Sequence, residues 1–228
     1  MKATFLLLIT VLTLSKTYAQ KDPLFGFKKG DFTISGTMSY SYQNSDSFVD
    51  DINGNMYQFE TEGHNFSIIP EIGYFVSSSF MAGLKFGYIS SKTESFDNDL
   101  YDYTSKGRGY STSLFGRYYF TPQKRVSLFI ELEAGYTKNT IDSDRIFQLN
   151  DLTASTNEVQ NYSITAAPGI NIFINEDLSI TSRIGRIGYT NSKDNFSNSN
   201  RDTGTNKRDS IDASISLNNF YFGVLYRI

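Results

Sequence analysis

The sequence predicts an all-β protein, an eight-stranded antiparallel up-and-down transmembrane β-barrel. Three observations predict it. Apolar residues recur at every second position in eight stretches. Short turns alternate with long polar connections between those stretches. Aromatic residues stand at two levels along the strands, as the two interfaces of a membrane require.

The chain opens Met1-Lys2-Ala3-Thr4, continues through the apolar run Phe5–Leu14 and reaches Thr17-Tyr18-Ala19-Gln20. One lysine, a short apolar region and small residues at the cleavage positions describe a secretory signal peptide, residues 1–19. That run is too short to span a bilayer as a helix, and no other apolar stretch is long enough. The expected barrel domain is residues 20–228.

The first strand sets Phe32, Ile34, Met38, Tyr40 and Tyr42 against Thr33, Ser35, Thr37, Ser39 and Ser41. The first set is expected to face lipid and the second the lumen. The second strand gives Phe66, Ile68, Pro70, Ile72 and Tyr74 outward, and the third Phe80, Ala82, Leu84, Phe86 and Tyr88. The fourth runs Tyr110 to Phe120, and the fifth gives Val126, Leu128, Ile130, Leu132, Ala134 and Tyr136. The sixth runs Tyr162 to Ile172, the seventh Leu178 to Tyr189, and the eighth ends Phe220, Phe222, Val224, Tyr226, Ile228.

The phase slips between Ile184 and Ile187, and again between Leu217 and Phe220, so a bulge is expected in each of the last two strands, the second near Asn218-Asn219. Pro70 and Pro168 break the rule that strand interiors avoid proline, and each marks a bulge or an unpaired position. Both open the pattern Pro-x-Ile-x-x-Phe just before a turn.

Turns are expected at Val76–Ser79, Thr121–Arg125 and Asn175–Asp177. The long polar connections, 43–64, 91–108, 138–160 and 190–213, are expected as four extracellular loops. In the first, Asn53-Gly54 reads as a type I′ turn of a hairpin rising above the membrane.

Tyr40, Phe66, Tyr88, Tyr110, Tyr136, Tyr162 and Tyr189 form the expected loop-side belt. Phe32, Tyr74, Phe80, Phe120 and Tyr226 form the turn-side belt. The ten residues from Tyr110 to Phe120 span roughly 25 Å when tilted, the height of a barrel's apolar band. A soluble β-sandwich is the alternative fold, and it has no reason to place tyrosines so.

The net charge of −3 gives no sign of a nucleic-acid partner. Cysteine is absent, which excludes a disulfide framework and a zinc–thiolate site. No cofactor is expected.

The stretches Pro70-Glu71-Ile72-Gly73-Tyr74-Phe75-Val76, Gly116-Arg117-Tyr118-Tyr119-Phe120, Leu128-Phe129-Ile130-Glu131-Leu132-Glu133-Ala134-Gly135-Tyr136 and Phe222-Gly223-Val224-Leu225-Tyr226 resemble the small eight-stranded outer-membrane β-barrel family of Gram-negative bacteria. The resemblance covers nearly the whole chain after the signal peptide. It implies a location in the outer membrane, both termini periplasmic, contact with outer-membrane lipid and lipopolysaccharide, and handling by the barrel-assembly machinery. That machinery reads a terminal aromatic in the family. Here Ile228 ends the chain, with Tyr226 two before it. The family's functions vary, so none carries over.

By strand parity Glu71, Lys85, Arg117, Glu131, Glu133 and Arg183 point into the lumen, three acids and three bases. If Ser78 centres its turn, Glu71 faces Lys85. If Gln123 centres the next, Arg117 opposes Phe129 and lies diagonal to Glu131. Buried charges must pair, so a neutral network plugging a narrow barrel is the plain reading. A gate or proton path is the sharper one. Phe115, Tyr119 and Phe129 also point inward and fill volume.

His64, the only histidine, is placed at the loop-side start of the second strand and has no nucleophile motif beside it. Asp51-Ile52-Asn53-Gly54-Asn55 with Glu62 imitates a calcium loop, but Met56 stands where the required glycine belongs. The second loop carries Asp97, Asn98, Asp99 and Asp102; the fourth carries Lys193, Arg201, Lys207 and Arg208. They read as hydrated loops, or as contacts for lipopolysaccharide phosphates, divalent ions or a partner surface. The expected function is structural or surface-interacting through the four loops and non-enzymatic. The alternatives are a narrow porin-like pore and an outer-leaflet lipid-modifying enzyme.

Overall fold

A computed structural model describes residues 25–50, 56–97, 101–147, 152–198, 203–214 and 220–228. The predicted signal peptide, the calcium-like segment 51–55 and the Asn53-Gly54 turn lie outside them. In chain order the strands are β1 (Phe32–Asp50), β2 (Met56–Phe75), β3 (Phe80–Asp97), β4 (Tyr101–Tyr119) and β5 (Val126–Phe147). Then come β6 (Leu152–Phe173), β7 (Leu178–Ile184), β8 (Arg186–Asn198), β9 (Thr203–Ser214) and β10 (Phe220–Arg227). β7 and β8 are two parts of one barrel strand, as are β9 and β10. Eight antiparallel strands result, and the pairing of β1 with β10 closes the sheet.

The burial pattern is that of a soluble protein turned inside out. Leu114 is 64 % exposed on the outer wall, whereas Arg117 inside is 0 % exposed. Met38, Leu128, Ile130, Leu132, Ile164 and Val224 are likewise exposed. Such a continuous apolar wall is stable only against lipid.

The four stretches read as long loops are instead paired β-ribbons. Asp50 faces Met56, Tyr101 faces Phe147, Ile146 faces Leu152 and Ser197 faces Thr203. β5, like β6, has 22 residues. At about 3.3 Å per residue it is roughly 70 Å long, far more than a tilted strand needs to cross the band. The apolar alternation stops where lipid stops, but the ladder does not, because it is made by backbone groups that every residue carries. Cross-strand hydroxyl pairs accompany it, Thr61 with Ser95 at 2.9 Å and Ser143 with Ser105 at 3.1 Å.

The phase slip in the seventh strand falls at Gly185. β6 pairs with β7 up to Gly169–Arg183 and with β8 from Ala166–Ile187, so the seventh strand carries one extra residue. Gly185 has φ +71°, a left-handed conformation costly for other residues. Pro168 sits in the gap, where its missing N–H costs no ladder bond. The bulge expected at Asn218-Asn219 lies outside the described residues. At Pro70 the β2–β3 ladder skips from Ile68–Tyr88 to Glu71–Lys85 with no change of register, so this proline marks an unpaired position and no bulge.

One register differs from expectation. Arg117 faces Glu131 directly, and Tyr119 faces Phe129. The last rung, Tyr119–Phe129, centres the connection on Lys124 and not on Gln123, and Val126–Leu128 reach past the end of β4 to pair with β6. Inside the connection Lys124 N–H donates to the Thr121 carbonyl at 3.2 Å.

The turn-side mouth is stoppered from within by residues 25–31, which no periodicity in the sequence announces. Phe27 is buried and stacks on Phe75 at 4.2 Å, with Tyr119 at 4.7 Å and Phe173 at 4.9 Å. Phe75 and Phe173 are the two phenylalanines of the repeated proline pattern. Phe27 N–H donates to the Pro122 carbonyl at 3.0 Å and Gly30 N–H to the Phe75 carbonyl at 2.8 Å. Arg227 donates to the Gly26 carbonyl and faces Asp31 and Asp177. A Cβ on Gly26 would lie 2.5 Å from the Pro122 oxygen, so only glycine fits this approach.

Among the described residues the β1–β10 seam is the shortest junction. It runs from Thr33–Arg227 to Gly36–Val224. Beyond Gly36, β1 pairs only with β2 among the described residues, and β9 only with β8.

Phe27→Ala should cost about 3–5 kcal/mol, read as a lower urea midpoint for the folded barrel in lipid. Ile130→Arg, on the outer wall near mid-band, should cost about 2–4 kcal/mol in the same titration.

Candidate functional site

Ionisable side chains on five strands converge in the lumen, one layer above the aromatic stopper. Glu71 comes from β2, Lys85 from β3, Arg117 from β4, Glu131 and Glu133 from β5, and Arg183 from β7. Period-two alternation turns each of them inward, and the closed sheet leaves them nowhere to go but toward each other.

Glu131 is the hub. Its Oε2 accepts from Arg117 Nε at 2.9 Å and Nη2 at 2.5 Å, and its Oε1 from Lys85 at 2.6 Å and Arg183 at 3.1 Å. Glu71 accepts from Arg183 at 2.5 Å and Arg117 at 3.2 Å, with Lys85 at 3.9 Å. Glu133 accepts from Lys85 at 2.5 Å. Arg117 is fully buried, and Glu71, Lys85 and Glu131 nearly so.

The remaining surfaces of the cations lie on rings. The Arg117 guanidinium sits 4.6 Å from the Phe129 centroid, and Lys85 Nζ 4.9 Å from that of Phe115. Ser35 donates to Glu71 at 3.2 Å, and Arg117 donates to the Tyr119 hydroxyl at 3.2 Å. Parity turned Ser35 and Tyr119 inward, but nothing in the sequence linked them to these ions.

Above this layer a cavity of about 430 Å³ opens toward the ribbons. Its floor is Lys85, Glu131, Glu133 and Arg183, and its walls include Thr37, Ser111, Ser113, Ser163 and Thr165. Charge alternates on the floor, so the cavity holds no field of one sign.

The other candidates lie elsewhere. His64 is well inside β2, not at its start. It faces outward, with Nδ1 3.0 Å from the Tyr40 hydroxyl and its ring 5.0 Å from that of Tyr42. The aromatics of both rows are on the outer wall. Tyr88 and Tyr110 face each other at 5.4 Å, Tyr136 and Tyr162 at 5.0 Å, and Phe32 and Tyr74 at 4.8 Å. Asn98, Asp99 and Arg201 lie outside the described residues. Among the described residues no cluster of acids and histidine could hold a metal ion.

The sequence matches the family model of the autotransporter β-domain over residues 72–218. The chain belongs to the autotransporter β-domain family. The match begins one residue past Glu71 and takes in the other five lumen charges. No curated protein matches the sequence.

In structure this autotransporter β-domain is similar to the outer membrane protein OprG of Pseudomonas aeruginosa. The two share 16 % identity at a TM-score of 0.49, over 89 % of this chain and 98 % of that one. It is also similar to the ferric yersiniabactin uptake receptor FyuA of Yersinia pestis, with 9 % identity and a TM-score of 0.42, over 85 % of this chain and 44 % of the receptor. A major outer membrane protein from Thermus thermophilus shares 10 % identity at 0.42, over 87 % and 99 %. The chain is a closed eight-stranded antiparallel barrel.

Arg117→Met should leave Glu131 and Glu71 short of a buried partner and destabilise the barrel by about 3–5 kcal/mol. Adding Glu131→Met should recover part of that loss, because the stranded charge is removed with it. A double-mutant cycle from urea titrations in lipid measures the coupling.

Proposed function

We propose that this chain is an integral protein of the bacterial outer membrane, whose sealed barrel anchors four β-ribbons outside the cell for a structural or surface-interaction role. The observation that carries the reading is the blocked lumen. The aromatic stopper and the ion layer lie in series across it, while the strands continue far past the apolar band as paired ribbons. Material is spent on a rigid outward projection and not on a passage.

In this orientation both termini and the three short turns are periplasmic. The chain meets outer-membrane lipid and lipopolysaccharide along its wall, and the assembly machinery inserts it. The reading is non-catalytic. The sole histidine faces outward with a tyrosine hydroxyl as its partner, far from the lumen charges.

A narrow pore is the second reading, and the 430 Å³ cavity favours it. Conduction requires the ion layer to part, and an eight-stranded barrel is only wide enough for its own side chains.

Purified protein should need detergent and show heat-modifiable gel migration with β-rich circular dichroism. A monodisperse species in plain buffer refutes the membrane reading. In planar bilayers the unmodified protein should show little or no steady conductance, and stable large single-channel currents would promote the pore. Lys85→Ala should deprive Glu131 and Glu133 of their ammonium partner and raise conductance.

A further inference from the structure

The outer wall of β3 and β4 carries a charge arrangement that the lumen and the ribbons leave unexplained. Lys92 and Lys106 stand directly opposite each other, and Arg108, two residues along from Lys106, faces only Ser90 on β3. All three are exposed. Like charges directly opposite across a sheet are destabilising.

Lys92 is partly compensated by Glu94 at 2.7 Å. Asp142 is opposite Lys106 on β5 and also accepts the Thr156 hydroxyl at 2.9 Å, so Glu94 and Asp142 offset two of the three bases and one stays unmatched. Among the described residues Lys106 and Arg108 make no ion pair. The same wall is compensated elsewhere: Lys138 meets Glu158 at 2.7 Å.

Height on the wall identifies the missing counter-charge. Arg108 is two residues from Tyr110, whose ring faces Tyr88 at 5.4 Å in the loop-side aromatic row. Two residues of a tilted strand rise about 5 Å. Headgroups occupy that depth, because a hydrocarbon core of about 30 Å lies within about 40–45 Å of bilayer.

We propose that Lys92, Lys106 and Arg108 bind the phosphorylated headgroup of an outer-leaflet lipid, with its sugar and acyl root against Tyr88 and Tyr110. The proposal rests on the outer-membrane reading above. A phosphate between the two lysines turns their repulsion into attraction, and the arginine fork grips its oxygens in pairs. A lipid fits better than a free anion. The patch is on the lipid-facing wall, and the tyrosine pair offers apolar cover that an inorganic ion does not use.

The test uses protein folded in neutral detergent and titrated with lipid A, an acylated glucosamine disaccharide bearing two phosphates, with binding read by native mass spectrometry. Wild type should retain lipid A. Lys106→Ala/Arg108→Ala should weaken retention at least about tenfold, as loss of charge-assisted contacts predicts. Lys106→Arg should preserve it, and Lys29→Ala/Lys124→Ala on the turn side should leave it unchanged.

Lipid A stripped of both phosphates should bind wild type no better than intact lipid A binds the double variant. Equal retention by the double variant, or by the stripped lipid, overturns the proposal. Displacement by millimolar inorganic phosphate overturns it in favour of a free-anion site. Heat-modifiable migration separates the two levels. A double variant that keeps the gel shift but loses the lipid supports the site, and a wild type soluble without detergent removes both the membrane reading and the site.

Discussion

Every backbone N–H and C=O in hydrocarbon must find a partner within the protein, because lipid supplies none. The rest of this structure depends on that constraint. A sheet can meet it only by closing on itself, and eight strands close into a tube barely wider than the side chains it encloses. The outer wall must then be apolar and the lumen must take whatever is left. Polar and aromatic side chains therefore collect where a soluble protein keeps its aliphatic core.

A narrow tube filled with charge has a second problem. Removing ions from water is costly, and their mutual attraction repays the cost only when every charge is matched. Glu131 accepts from all three cations, and each cation reaches a second carboxylate or the face of a ring. Making such a network contributes little to stability compared with what breaking it costs. Its effect is to fix one arrangement of five strands and to leave an approaching ion no unmatched site. The aromatic stopper below adds what the network lacks, a dry apolar contact around Phe27.

Strand parity was legible because lipid and lumen demand opposite chemistry at adjacent residues. Leu128, Ile130 and Leu132 point out, and Phe129, Glu131 and Glu133 point in. The rung between Glu71 and Lys85 followed from the turn centred on Ser78, while Arg117–Glu131 was misplaced because β5 starts pairing with β6 before it meets β4, which moves the centre from Gln123 to Lys124. The break between Ile184 and Ile187 pointed to the kink at Gly185. The ribbons were illegible as strands. Outside the membrane no face needs to be apolar, so pairing persists without the pattern that reveals it. Phe27 was illegible for another reason, since a short apolar cluster before the first strand has no period to read.

The seam between β1 and β10 gives the closed cylinder a preferred place to breathe. A structure opens first where the fewest hydrogen bonds must break together. Among the described residues that is the short run of rungs between Thr33–Gly36 and Val224–Arg227, beside stretches of β1 and β9 that each pair with a single neighbour. Fluctuations of the wall are therefore directional. The six strands opposite the seam move as a stiff shell, and the first and last strands swing against each other like the two sides of a cuff.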